Sequence, residues 1–124
     1  MTARELYDQA LRLLNYTNSH GELGNGNYES QRRGLALVNQ IYADIYRIEN
    51  GHIPNNLLLT MQETPALSRE ATYDVMPYGI AMLIAQSESD SDNQSLFASL
   101  YNQKRSSTPR RQVSRIDTLP RPYW

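Results

Sequence analysis

The sequence predicts an all-α protein, a small helical bundle of about four to five helices with an extended C-terminal arm. Two observations predict the bundle: apolar residues recur at helical spacing in several segments, and clusters of Gly, Asn and Pro separate those segments. A third observation predicts the arm, because residues 106–124 contain three Pro and no helical period. We therefore divide the 124 residues into a helical body, 1–105, and an arm, 106–124.

The first helix is predicted over about residues 3–15. Thr2 and Glu5 match a capping box, in which two side chains bind the free N–H groups of the first turn. The apolar face that follows is formed by Ala3, Leu6, Tyr7, Ala10, Leu13 and Leu14. Residues 17–27 are rich in Gly and Asn, so we expect a loop after this helix.

The second helix is predicted to be the longest, from about Tyr28 to Glu49. Asn27 is a suitable N-cap, and Gly51 supplies the left-handed residue that ends many helices. One face stays apolar along the whole segment, through Leu35, Val38, Ile41, Tyr42, Ile45 and Ile48.

A connector, residues 52–66, is predicted to be irregular, with room for at most one short strand. Pro54 and Pro65 bracket an apolar run too short to distinguish helix from strand. Ser68 can cap a short helix at 69–75.

Two further helices are predicted to form a pair. Pro77 suits the first turn of the earlier helix, where a missing N–H has no cost. This helix should be the most buried one, because its residues are largely apolar, namely Ile80, Ala81, Leu83, Ile84 and Ala85. Asp90 and its neighbours should cap the last helix, 92–105. Its inward face is predicted to consist of Leu96, Phe97, Leu100 and Tyr101.

Charge is distributed unevenly along the chain. Residues 1–103 hold six Arg against twelve Asp and Glu, a formal charge near −6, whereas residues from Lys104 onward hold six basic residues against Asp117 alone. Such asymmetry is typical of a tail that binds an electronegative partner. The chain has nine Tyr but only one Phe and one Trp. Tyr can bury its ring and leave its hydroxyl in water, so this composition favours surfaces that form interfaces.

The sequence lacks the patterns of an enzyme or a metal protein, so no catalytic residue, metal or cofactor is predicted. The absence of cysteine excludes disulfides and thiolate sites. His20 and His52 have no partner at a recognised catalytic spacing. Glu88, Asp90 and Asp92 alternate like the first ligands of a calcium loop, but the required later Gly and Glu are missing. No apolar run is long enough for a membrane span or a signal peptide.

The arm is the predicted partner-binding site, because apolar and aromatic residues alternate with its arginines. Trp, Tyr and Arg contribute most of the binding energy at many interfaces. Strand addition by residues 112–116 and polyproline docking of residues 119–122 remain alternative binding modes. The predicted binding residues are Arg110, Arg111, Val113, Arg115, Ile116, Leu119, Arg121, Tyr123 and Trp124.

Residues 67–105 carry a pattern that is similar to a known family. Its parts are Leu67–Ser68, Met76–Pro77–Tyr78–Gly79, the Ala-rich segment from Ala81 to Ala85, the acidic turn from Glu88 to Asp92, and the closing pair Phe97 and Tyr101. The 39-residue run resembles the head-to-tail connector, or adaptor, proteins of tailed double-stranded DNA bacteriophages. Agreement over the second helix is looser.

The resemblance implies a structural virion protein at the head-to-tail neck, assembled in the host cytoplasm. Subunits of this family form a homo-oligomeric ring, commonly of about twelve copies, below the portal. Their terminal arms hold the portal protein or neighbouring subunits, tail or neck proteins bind next, and DNA passes through the lumen without specific binding. The main alternative is a small DNA-binding protein, such as a helix-turn-helix regulator or a terminase small subunit, whose arm would contact phosphate.

Overall fold

The computed structural model describes residues 1–14 and 28–109, and this part of the chain is all helical, as predicted. Its elements are α1 (Ala3–Leu14), α2 (Tyr28–Asn50), a π-helical segment (Ala71–Val75), α3 (Met76–Ser87) and α4 (Ser91–Ser106). The Gly-rich loop with His20 and all of the arm beyond Pro109 lie outside the described residues.

The capping box at the start of α1 is confirmed. The backbone N–H of Thr2 donates to Oε1 of Glu5 at 2.8 Å, and the N–H of Glu5 donates to Oγ1 of Thr2 at 3.2 Å. The connector supplies two further acceptors, because the N–H groups of Ala3 and Arg4 donate to the carbonyls of Glu63 and Met61. The first turn of α1 is therefore fixed both locally and by a distant segment.

Helix α3 lies at the centre of the bundle and packs against α1, α2 and α4. All five of its residues predicted to be buried are so, namely Ile80, Ala81, Leu83, Ile84 and Ala85. The buried face of α1 differs slightly from the prediction, because Leu11 is buried whereas Leu13 is only partly buried. Leu11 follows Tyr7 by four residues and so lies on the same face, and Leu13 lies at its edge.

Gly79 allows the three helices α2, α3 and α4 to approach closely. A Cβ atom at this position would lie 2.7 Å from Cε1 of Tyr101 and 2.9 Å from Cδ1 of Ile41. The absence of a side chain at Gly79 therefore sets the spacing of α3 against both neighbours.

The predicted division between a helix at 69–75 and a helix with Pro77 in its first turn is confirmed, although the helical chain continues from one to the other without a break. The N–H of Met76 donates to the carbonyl of Ala71, five residues earlier, which is the π-helical bond. Proline crowds the carbonyl four residues before it and donates no N–H, so the wider turn lets the helix continue. Ser68 caps the start as predicted, since its Oγ accepts from the N–H of Ala71 at 3.2 Å.

No strand occurs in the connector, all of which the structure describes. Asn39 on α2 pairs with the backbone of Leu58 instead. Its Nδ2 donates to the carbonyl of Leu58 and its Oδ1 accepts from the N–H, both at 2.9 Å. The amide of Asn39 thus satisfies both backbone hydrogen-bonding groups of Leu58, as a neighbouring strand would.

Helix α4 has a narrower buried face than predicted. Phe97 and Tyr101 are buried and Leu100 is half-buried, but Leu96 is 52% exposed. Phe97 and Tyr101 are four residues apart and define the stripe that meets α3, and Leu96 lies beside that stripe. Leu96 was therefore wrongly predicted to face inward.

Candidate functional site at the base of the arm

The end of α4, where the arm begins, is held against the C-terminal half of α2 by an ion pair. Nε of Arg105 lies 2.6 Å from Oδ2 of Asp44, and Nη2 lies 2.8 Å from Oδ1. The hydroxyl of Tyr101, one turn earlier on α4, donates to Oδ2 of Asp44 at 2.7 Å. Three side chains therefore fix the last two turns of α4.

The electrostatics of this cluster keep the ion pair charged. Hydrogen bonding to Arg105 lowers the pKa of Asp44, against the opposing effect of burial. The same carboxylate raises the pKa of Arg105. Burial, followed by the bond to Asp44, raises the pKa of Tyr101, so that its phenol stays protonated and donates. The cluster persists over the whole neutral pH range.

A groove of about 500 Å3 lies between the π-helical segment and the end of α4, and we call it the base groove. It is lined mainly by Glu70, Asp74 and Val75 on one side and by Leu100, Lys104 and Pro109 on the other. Nζ of Lys104 joins the two sides, 2.9 Å from Oδ1 of Asp74 and 4.6 Å from the ring centre of Tyr78. The described chain thus ends at Pro109, on the rim of a groove with acidic side chains on the facing wall.

Exposed apolar side chains are concentrated on the connector. Ile53, Leu57 and Leu59 are 64%, 48% and 80% exposed, and we call these three residues the connector patch. Leu59 also lines a second groove, of about 530 Å3, between the connector and α2. The three lie within seven residues of sequence, and contiguous exposed apolar surface marks interaction sites more often than single exposed residues do.

The nine predicted partner-binding residues, from Arg110 to Trp124, lie outside the described residues. The structure instead shows where their segment starts. Sequence reasoning counted Arg105 only as a basic charge and missed its pairing with Asp44. One signal for it existed, because Asp44 lies next to Ile45 at the edge of the apolar face of α2, where a carboxylate needs a partner.

His52 and Asp90, two of the residues considered above as catalytic or metal-binding candidates, make structural contacts. His52 is exposed, with Nδ1 2.9 Å from the carbonyl oxygen of Ile53 and its ring edge-on to Tyr46. Asp90 is the N-cap of α4 and accepts from the N–H of Asn93 at 3.3 Å. Among the described residues, no three His, Cys, Asp or Glu side chains come together to hold a metal ion.

Comparison with protein-family models, with curated proteins and with solved structures finds no match to this chain. Within residues 1–14 and 28–109, no helix has the length and apolar character to span a membrane.

Proposed function

We propose that the chain is a structural, non-enzymatic adaptor subunit of the head-to-tail interface of a tailed bacteriophage. Copies form a ring beneath the portal and dock it through the arm. The observation that carries this proposal is the ion pair of Asp44 with Arg105, which fixes the base of the arm on the body. A binding segment on a rigid base loses less conformational freedom when it docks than one that follows a frayed helix.

The segment that resembles the adaptor family supports the proposal, because it forms one structural unit. Residues 67–105 comprise the π-helical segment, α3 and most of α4, and α3 is the centre of the bundle. The small residue of the resembling motif, Gly79, is the point where α2 and α4 approach α3. The resemblance therefore involves residues that build the core of the body.

Exposed apolar residues on separate elements support assembly into a ring. A ring needs two different surfaces that fit each other, because each subunit contacts its neighbours head to tail. The connector patch offers one such surface. Tyr73 and Leu96, 53% and 52% exposed, lie on the π-helical segment and on α4 and offer another.

The charge of the body favours the adaptor over the DNA-binding alternative. Residues 1–103 hold six Arg against twelve Asp and Glu. A negative body repels phosphate, which lets DNA pass through a lumen and disfavours tight duplex binding.

Electron microscopy of tail-less, portal-bearing heads mixed with the purified chain tests this proposal. We expect a ring of added density beneath the portal. The variant Leu59→Glu places a charge in the connector patch and should reduce ring formation, while Gln86→Glu, at an exposed position of α3, serves as its control. Heads without added density, together with tight, salt-sensitive binding of duplex DNA, would favour the DNA-binding alternative.

A further inference from the structure

The base groove begins where the described chain ends. Pro109 forms part of its rim, and the sequence continues for 15 residues beyond it. An extended chain advances about 3.3 Å per residue, so only a few residues are needed to cross to the facing wall. The segment that follows Pro109 therefore has a short path into the groove.

The facing wall carries negative charge that the described residues only partly neutralise. The side chain of Glu70 is exposed and has no hydrogen bond or ion pair within the described part of the chain. Asp74 accepts from Lys104, yet its side chain remains 66% exposed. Arg110 and Arg111 come directly after Pro109, so the charges of the two segments are complementary.

The apolar character of the groove also matches the sequence that follows. Ala71 and Val75 on one side and Leu100 on the other are apolar residues of its lining. Val113 and Ile116 lie in the arm only a few residues beyond the two arginines. A segment with paired arginines followed by two apolar residues suits a groove that is lined by both acidic and apolar residues.

We propose that residues 110–116 dock into the base groove of their own chain. In this arrangement Arg110 and Arg111 pair with Glu70 and Asp74, and Val113 and Ile116 cover the apolar part of the lining. The same chain is the favoured occupant because a short covalent connection gives an effective concentration on the order of millimolar. The inference does not depend on the adaptor role, although in an adaptor the arm would leave this groove in order to reach the portal.

Nuclear magnetic resonance on the full chain tests the docking. The chain contains no cysteine, so Ser114→Cys provides one site for a nitroxide label. We expect the label to reduce the amide signals of Ala71, Val75 and Leu100 selectively, compared with those of α1. A mixture of 15N-labelled chain without nitroxide and nitroxide-labelled chain without 15N reports only contacts between copies, and it should show no such loss.

Charge reversal at the rim provides the matched comparison. Glu70→Lys should lower the ratio of docked to undocked arm by about two- to fivefold, as expected for a partly exposed ion pair. Asp92→Lys also reverses an exposed acid in the first turn of a helix, but on α4 away from the groove, and should leave the ratio unchanged.

Three outcomes would overturn the proposal. One is a loss of signal spread evenly over the body, which indicates an undocked arm. Another is a selective loss in the mixed sample as well, which assigns the groove to the arm of a second copy. The third is an equal change of the docked-to-undocked ratio in Glu70→Lys and Asp92→Lys, which would show that pairing with Glu70 does not hold the arm in the groove.

Discussion

Asp44 in the C-terminal half of α2 and Arg105 at the end of α4 form a two-point ion pair across 61 residues of sequence, with N–O distances of 2.6 and 2.8 Å. The pair joins the longest helix to the one that leads into the arm. The hydroxyl of Tyr101, also on α4, donates to the same carboxylate.

Asp44→Asn should lower the free energy of unfolding by about 1–2 kcal/mol, because hydrogen bonds to a partly buried charged group are lost. Asp8→Asn is the control. Asp8 pairs with Arg4 on the surface of α1 at 3.4 Å, and such pairs contribute only about 0.3–0.5 kcal/mol. Urea denaturation measures both. Equal losses in the two variants would show that the Asp44 pair contributes no more than a surface pair.

The contribution of Asp44 to the free energy of unfolding should decrease as the pH falls. Its pKa in the folded chain lies below the ordinary value of 3.8, so its stabilisation is fully present above that value and is lost as pH falls through the folded pKa. The difference in unfolding free energy between the native chain and Asp44→Asn should therefore be constant from about pH 7 to about pH 5 and shrink at lower pH. A difference that grows on acidification contradicts the assignment.

Gly79→Ala should destabilise the chain by about 1–3 kcal/mol through overpacking against Tyr101 and Ile41. This outcome opposes helix propensity, which favours Ala by about 1 kcal/mol. Gly34→Ala is the matched control, because its nearest neighbour, a carbon of the Tyr7 ring, lies 3.1 Å from the added Cβ and the crowding is milder. Thermal unfolding of the two variants should rank Gly34→Ala as the more stable.

Glu49 and Ser68 should be energetically coupled. The Glu49 carboxylate is 4% exposed and accepts from both the N–H and the hydroxyl of Ser68, whose Oγ in turn accepts from the N–H of Ala71. A double-mutant cycle with Glu49→Gln and Ser68→Ala should give an interaction energy of at least about 0.5 kcal/mol. Additive losses would indicate that the two residues stabilise the helix start independently.

Local signals predicted the helix ends well. The capping box of Thr2 and Glu5, the left-handed Gly51 at φ 86° and the N-cap Asp90 all occur as the sequence indicates. These features involve residues within one helical turn of each other, so neighbouring positions in the sequence contain the whole interaction.

Contacts between distant segments could not be predicted from the sequence. The partner of Asp44 lies 61 residues away, and Asn39 binds Leu58 across 19. The continuity of the helix before Pro77 also depends on packing, because a proline more often ends a helix than passes through a π-helical turn. The binding residues of the arm stay predictions, since they lie beyond Pro109.

A head-attachment assay on a chain that lacks residues 110–124 tests the central claim most directly. The described body is left whole by this deletion, so circular dichroism should show its helical content almost unchanged. Attachment to portal-bearing heads should be lost, because the paired arginines, the apolar residues and the terminal Tyr123 and Trp124 are removed together. Undiminished attachment of the truncated chain would contradict the account and assign the partner surface to the helices.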